Sequence, residues 1–446
     1  LLAARQALPT HSLLFKKTLV YFMTIPSTVS ESERGIDSPQ IIHKANTEHW
    51  ISRGTAAYLK AGLALFLLGF ASFSMIYCVQ PLLPEFTHTF HISPGTSALA
   101  LSLTTGLLAV SILLSSAFSQ ALGRKGLMFI SMGLAALLNI LCGFAPNWHI
   151  LLIARAVQGF VIGGVPAVAM AWIAEEIHPA HLGKTMGLYI AGTAFGGMMG
   201  RVGMGLLTQY FSWRVALGVL GGICLICALG FLWLLPKSQN FIAQKGIQLQ
   251  FHLSAWKNHL KNPRLVRIYA IGFLITSIFV TLFNYVTFRL AATPYQLSQT
   301  QISLIFLSYS LGMISSSLAG SLVDKFGRKM AMLMGFGFML AGILLTLNAG
   351  LFAIIIGIAA ITTGYFIAHA IASSNVGLEA KQAKGHATAL YLLFYYLGSS
   401  IIGSVGGWFW QYGGWHAVVY LTLALVAVAI FIVMTAPKPL QASSNQ

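Results

Sequence analysis

The sequence predicts an all-α membrane protein, with twelve transmembrane helices arranged as two pseudosymmetric six-helix bundles. Three observations predict it. Hydrophobic residues make up 57% of the 446-residue chain and charged residues only 8%, too few to cover a water-soluble surface of that size. Apolar runs of about 20 residues recur from one end to the other, the length that crosses a hydrocarbon core as a helix. A Gly-Arg-Lys turn between two such runs occurs twice, at Gly123-Arg124-Lys125 and Gly327-Arg328-Lys329. The runs lack the two-residue alternation of a barrel strand, which leaves helices as the closed hydrogen-bonding structure able to span lipid.

In chain order, position 1 is Leu and the first Met is Met23. Residues 24–57 are polar, with Ser30, Glu31, Ser32, Glu33 and Arg34 in a row, and residues 1–57 are expected to form a disordered cytoplasmic segment. Met23 is the expected natural start, which N-terminal sequencing would check. Ser12–Met23 is too short and too basic to span, and has no convincing cleavage site. Six spans follow at 61–83, 97–120, 127–145, 149–174, 185–208 and 214–235, within an N-terminal bundle of residues 58–236. Residues 237–266 are polar and basic and read as a cytoplasmic linker. Six more spans at 267–289, 301–323, 330–349, 351–375, 387–409 and 415–435 make a C-terminal bundle of residues 267–436, and 437–446 form a cytoplasmic tail.

Charge sets the expected orientation. With the N-terminus inside, the cytoplasmic turns carry Arg124 and Lys125, then Lys184, the linker lysines 237, 245, 257 and 261 with Arg264, then Lys325, Arg328 and Lys329, and finally Lys381 and Lys384. The opposite turns hold only Arg214 and Arg289, so both termini are expected in the cytoplasm. The formal charge of +17 raises the question of nucleic acid. The basic residues sit in short turns with no aromatic-lined basic face, so the expected partner is the lipid bilayer with its anionic headgroups, and not nucleic acid. Cys78, Cys142, Cys224 and Cys227 all fall in apolar runs; Cys224-Leu-Ile-Cys227 lacks the second pair or nearby His of a zinc site and reads as packing. No cofactor is expected. There is no Walker-type loop for nucleotide, no paired carboxylate or activated nucleophile for an enzyme, and no filter sequence for a channel.

The two halves repeat. Leu188-Tyr189, Gly196, Gly205, Gln209-Tyr210 and Trp213 are matched by Leu390-Tyr391, Gly398, Gly407, Gln411-Tyr412 and Trp415. Parallel repeats of six spans imply two bundles about an axis along the membrane normal, with a site between them. The turn from Gly320 to Lys329 resembles the signature loop of the major facilitator superfamily, and Arg155 followed by Gln158-Gly159 resembles its fourth-helix motif. Tyr77-Cys78-Val79-Gln80-Pro81, Glu175-Glu176-Ile177-His178-Pro179, Gly196 to Arg201 and Tyr395 to Ser400 are similar to the YnfM-type inner-membrane branch. The resemblance implies the major facilitator fold, a monomer in a bacterial inner membrane, and proton-coupled export of a small molecule such as a drug or metabolite. Two departures weaken transfer of the drug-antiporter label. Gln120 stands in the first turn where Asp324 stands in the second, and Gly197 and Arg201 occupy positions where that class has Pro and Gly.

Candidate site residues come from polarity inside spans, which is costly in lipid and tends to be functional. No carboxylate lies mid-span, since Glu85, Glu175, Glu176, Asp324 and Glu379 sit at span ends or turns. Arg155 and Arg201 do lie within spans, both about 10 Å below the outer edge at about 1.5 Å rise per residue. Tyr77, Gln80 and Gln158 fall at a similar level, with Glu85 the nearest acid. Three readings of the arginines stay open. They are satisfied structurally, they bind an anionic group of the substrate in an uptake system, or, as the resemblance implies for the fourth-helix Arg, they take part in proton coupling. The second half offers Asn284, Tyr285, Tyr365, His369, Tyr395 and Tyr396 as cavity-lining or packing groups; His369 is the only His well inside a span. Glycines 192, 196, 200 and 203 permit close helix approach. Asp324, Gly327 and Arg328 form the expected cytoplasmic gate, Asp324 facing the helix N-terminus near Gly183–Gly187; Gly123 and Arg124 of the first copy read mainly as a topology anchor. Asp324→Asn is expected to impair transport and leave insertion intact.

Overall fold

Helix hydrogen bonding accounts for nearly all of the backbone in the structure, a computed structural model that describes residues 50–241, 249–380 and 382–436. The side chains of residues 116–122 and of Leu249 lie outside that description, and with them that of Gln120. Most of the expected N-terminal segment and the tail 437–446 also lie outside it.

The helices begin where small polar side chains take up free backbone N–H groups. Thr55 caps α1 (Ala56–Tyr77). A single 3-10 turn, Gln80–Leu82, then carries the chain into α2 (Leu83–Phe90). Ser93 caps α3 (Pro94–Leu122), with Pro94 in the first turn where its missing N–H costs nothing. The chain reverses at Gly123 into α4 (Arg124–Gly143). Asn147 caps α5 (Trp148–Ile162), which runs on past Gly163 as α6 (Gly164–Glu176). There follow α7 (Leu182–Tyr210), α8 (Trp213–Leu234) capped by Ser212, α9 (Leu249–Lys261), and α10 (Pro263–Ala291) capped by Asn262. A capping box of Ser298 and Gln301 opens α11 (Gln299–Leu304), and the 3-10 turn Ile305–Ser308 leads to α12 (Tyr309–Leu345), then α13 (Leu351–Glu379) and α14 (Lys384–Met434).

Two of these helices are each a pair. A straight helix of 37 residues, the length of α12, would run about 55 Å at about 1.5 Å per residue, well beyond a hydrocarbon core of about 30 Å. Gly327 breaks it with φ 77°, and Gly414 breaks the 51-residue α14 with φ 56°. Gly123 has nearly the same conformation as Gly327, φ 79° and ψ 141° against φ 77° and ψ 159°, so the duplicated turn is a duplicated geometry. Both use the left-handed region that a side chain resists. Nine stretches among the described residues are long and apolar enough to cross a membrane. With α12 and α14 each divided at its glycine, and with the glycine-rich α7, they give the twelve crossings of the expected fold.

The repeat is also one of packing. In the first bundle α1 and α7 touch through backbone. A β-carbon at Gly192, Gly196 or Gly200 would stand 2.5, 2.2 or 2.6 Å from backbone atoms of Phe66, Phe70 or Ser74. In the second bundle α10 and α14 meet the same way, a β-carbon at Gly398 standing 2.2 Å from the Phe273 carbonyl oxygen. Gly203, by contrast, has open space, so it belongs outside this contact stripe. The four cysteines are buried free thiols.

Within the expected linker, α9 is an ordered helix seated on the start of α14. His252 and His386 share a 2.8 Å hydrogen bond through Nδ1 and Nε2, and His259 Nε2 lies 3.2 Å from the Ala383 carbonyl oxygen.

A buried polar chain across the two bundles

The helices have a basic end, which bears Gly123 and Gly327, and a far end opposite to it.

Arg155 is fully buried on α5, and each of its three nitrogens donates to an acceptor. Nε donates to the Ala100 carbonyl at 3.1 Å, Nη1 to the Met75 carbonyl at 2.9 Å and to Gln158 Oε1, and Nη2 to the Ile76 carbonyl at 2.7 Å. Gln158, one turn on and therefore on the same face, donates to the Ala135 carbonyl at 2.9 Å and to Asn139 Oδ1 at 3.2 Å. Asn139 continues to the Leu217 carbonyl at 2.8 Å. The guanidinium thus ties the last turn of α1 to α3 and α5, and its partners tie in α4 and α8.

Arg201 sits differently. It is 1% exposed, and its Nε donates to Gln80 Oε1 at 2.7 Å while Nη1 reaches the Gly197 carbonyl one turn back. The planar cation is walled by aromatic rings, with the Tyr77 centroid at 4.2 Å, Tyr309 at 4.8 Å and Phe306 at 5.2 Å. Two of those rings come from the second bundle. Because Arg201 occupies the oxygen of Gln80, the amide nitrogen of Gln80 points the other way and donates to Asn284 Oδ1 at 2.7 Å, crossing from one bundle to the other. Asn284 Nδ2 and Ser102 Oγ are buried without a partner among the described residues, and both lie near Gly403. Among the described residues Glu85 is not the counterion of either arginine; its carboxylate accepts from Thr89 Oγ1 at 3.5 Å.

The aromatic wall continues into the second bundle. Tyr309 contacts Phe279, whose ring stacks on Tyr365 at 3.8 Å between centroids. The hydroxyls of Tyr365 and Tyr395 are in contact, Tyr395 packs edge-on against Tyr396, and His369 lies 4.7 Å from the Tyr395 ring. His369 Nδ1 closes the run on the Tyr391 hydroxyl at 3.0 Å. The sequence candidates Tyr77, Gln80, Arg201, Asn284, Tyr365, His369, Tyr395 and Tyr396 therefore belong to one connected cluster. Tyr285 stands apart, donating to the Gly403 carbonyl at 2.9 Å and joining α10 to α14. Phe279, Phe306, Tyr309 and Tyr391 were not among the sequence candidates. Tyr391 had a signal, as the repeat partner of Tyr189, whereas the other three are aromatic residues in apolar runs that only the meeting of helices distinguishes.

At the basic end the two Gly-Arg-Lys turns grip equivalent helix ends. Arg124 holds Glu175 with Nε at 3.1 Å and Nη2 at 2.6 Å, and Lys125 Nζ caps the Leu235 carbonyl at 2.5 Å. Arg328 holds Asn375 Oδ1 at 2.7 Å and Ser374 Oγ at 3.2 Å, and Lys329 Nζ caps the Met434 carbonyl at 2.6 Å. The charged pair is thus in the first copy, where Arg124 fastens two elements of the same bundle. Asp324 is exposed without a partner among the described residues, and Gly183 and Gly187 face open space. The contact expected between Asp324 and that helix start is not made in this conformation. At the far end, Arg214 and Arg289 each cap helix-end carbonyls, Arg214 on Ala145 at 2.6 Å and Arg289 on Asn348 at 2.9 Å.

The bundles meet in their far halves. A β-carbon on Gly95 would stand 3.3 Å from the Gly407 α-carbon, Ser400 Oγ donates to the Ser102 carbonyl at 2.7 Å, and Thr300 Oγ1 reaches the Gly205 carbonyl at 3.4 Å.

Comparison with known proteins agrees with this architecture. The family model described as Major Facilitator Superfamily matches residues 65–293 and 285–446. The MFS-type transporter YybF of Bacillus subtilis (strain 168) is 41% identical over 383 residues, covering 86% of this chain and 95% of the relative. The inner membrane transport protein YnfM of Escherichia coli (strain K12) is 39% identical over 414 residues, covering 92% and 98%. Among solved structures, the nucleoside transporter NupG superposes with a TM-score of 0.70 at 16% identity, covering 84% of this chain and 99% of that one. A bacterial homologue of the human lysosomal transporter Spinster, inward-facing and occupied, gives 0.68 at 13% identity, covering 85% and 97%.

Proposed function

The chain belongs to the major facilitator superfamily, and from that premise we propose that it exports a small organic solute in exchange for protons by alternating access. It is a multi-pass membrane transporter of solute and not an enzyme. We place it in a bacterial inner membrane as a monomer, with both termini and the basic end in the cytoplasm, because the lysines and arginines of the turns cluster on that end.

The observation that carries the proposal is the contact between the bundles in their far halves. They are joined there by Gly95–Gly407, Ser400–Ser102 and the Gln80–Asn284 bond. This supports reading the molecule as a carrier whose far gate is shut. Asp324 and Arg328 then belong to a gate that closes in the opposite conformation, with Gly327 and Gly123 supplying the turns. The substrate meets the aromatic and polar cluster from Arg201 to His369 at the seam. Anion uptake is the second reading. Arg201 favours it, as a guanidinium at the seam with no carboxylate beside it, whereas Arg155 is engaged by carbonyls and Gln158.

Purified protein in proteoliposomes with an imposed pH gradient tests both readings against cationic drugs, sugars and organic anions. Accumulation driven by the gradient, inside-out relative to the basic end, is expected for the export reading. Uptake confined to anions and abolished by Arg201→Gln would replace it with the second. Transport indifferent to the gradient would remove the proton from the scheme.

A further inference from the structure

We propose that α9 is a surface helix that lies on the membrane at the basic end and binds anionic lipid headgroups there. The inference does not depend on what the carrier moves or on what drives it.

The level of α9 follows from what it is tied to. Its last residue, Lys261, is separated from the first residue of α10, Pro263, by Asn262 alone. The 29 residues of α10 run about 43 Å at about 1.5 Å per residue, longer than a hydrocarbon core of about 30 Å, so its ends reach the headgroups. The other attachment is the start of α14. His252 bonds to His386 at 2.8 Å, and His259 lies 3.2 Å from the Ala383 carbonyl oxygen. Two turns of α9 are thus fixed to residues only one turn apart on α14, so α9 crosses the end of that span and does not run alongside it. Two span ends hold it at the membrane surface.

The side chains of α9 divide into sectors, at about 100° per residue. His252, Trp256 and His259 face the second bundle, with Trp256 packed on the His252 and His386 rings. About a quarter turn round, Leu253 and Leu260 form an exposed apolar stripe, seven residues apart. Lys257 and Lys261 flank the stripe on the side away from the protein, and Ser254 and Asn258 lie beyond them, all exposed. Phe251, on the remaining edge, rests against the His386 ring. This order fits a helix lying on a bilayer beside its own bundle. The leucines meet the acyl boundary, the lysine stems follow them while the ammonium groups stay among the headgroups, and the serine and asparagine face water.

Charge identifies the lipid. Arg264, just past α9, is paired with Glu379 at 3.8 Å. Lys257 and Lys261 are in no ion pair among the described residues, and neither is Lys384, exposed in the first turn of α14. Three uncompensated ammonium groups therefore share this level. A zwitterionic headgroup offers them no net charge, whereas an anionic one such as phosphatidylglycerol does. Lipid held there bears directly on α14, the helix whose Ser400 bonds to Ser102 across the seam.

The test needs no known substrate. An environment-sensitive fluorophore is placed on Leu253→Cys or on Asn258→Cys in protein reconstituted in lipid nanodiscs; the four native thiols are buried. Phosphatidylcholine with a nitroxide high on an acyl chain is expected to quench the reporter at position 253 and to spare that at position 258, which aqueous iodide quenches instead. The same nitroxide on phosphatidylglycerol is expected to half-quench the reporter at 253 at a content at least roughly fivefold lower, the factor that one lysine near an anionic surface supplies. Lys257→Gln combined with Lys261→Gln removes that difference and leaves the reporter quenched by lipid. Melting temperatures establish that the variants are folded. Equal responses of the two reporters to lipid nitroxide and to iodide overturn the placement of α9. Equal half-quenching contents for the two headgroups, or a difference that survives in the double lysine variant, overturn anionic lipid binding by this helix.

Discussion

Arg155 and Arg201 look alike in the sequence, each a lone cation inside an apolar span, and the structure separates them by what surrounds their donors. Arg155 is enclosed by the Ala100, Met75 and Ile76 carbonyls and Gln158, which its guanidinium reaches together. A lysine ammonium carries three donors from a single point and cannot span that set. Arg155→Lys is therefore expected to lose several of these buried hydrogen bonds and to destabilise the folded protein by about 1–3 kcal/mol. Thermal unfolding in detergent checks this; a variant that melts with the wild type and fails only in transport would return Arg155 to the coupling machinery. Arg201 was legible as an in-span cation, and Gln80 as a polar residue at a similar level. Tyr77 was legible in the same way, but the other two rings around Arg201 were not, because Phe306 and Tyr309 lie roughly a hundred positions away in the other bundle, and no local period records such a meeting.

At the scale of elements, the apolar runs predicted the spans because lipid leaves a helix no other way to satisfy its backbone, and length alone then marks each crossing. The same physics made α9 hard to see. Its residues Leu249–Lys261 are polar and basic, and it is ordered through His252 and His259 at the start of α14, contacts made by partners distant in sequence. Glycine spacing was half legible. Residues 192, 196, 200 and 203 are all compatible with close approach, yet only the first three touch α1. This difference makes a prediction. Gly196→Ala puts a β-carbon 2.2 Å from the Phe70 carbonyl oxygen, which is backbone and cannot rotate away, so α1 and α7 must part. Gly203→Ala enters open space and gains helix propensity, about 1 kcal/mol relative to glycine. The first variant is expected to melt lower than wild type and the second at or above it. Equal melting of the two would show that the α1–α7 contact contributes nothing to stability.

At the scale of the whole molecule, the duplicated Gly-Arg-Lys turns pointed to two bundles and their relative orientation, and both turns do grip equivalent helix ends. The partner of Arg124 was not legible, because Glu175 is remote from the turn in sequence, whereas Asp324 is adjacent to its own. Which gate is shut could not be read from either copy, since closure is a relation between bundles. That relation can be fixed chemically. A β-carbon on Gly106 would stand 3.5 Å from Ser400 Cβ, at the short edge of the range that a disulfide spans, about 3.5–4.5 Å. Gly106→Cys with Ser400→Cys therefore offers a bond across the α3–α14 seam, and the four native thiols are buried away from the reaction. Alternating access requires this seam to open once per cycle, so an oxidised protein is held with its far gate closed. Transport of the solute found in the gradient screen is expected to stop on oxidation with copper–phenanthroline and to return on reduction, while the single-cysteine proteins remain active. If the bundles instead kept this contact throughout the cycle and passed solute by a local movement elsewhere, the oxidised double variant would transport at its reduced rate.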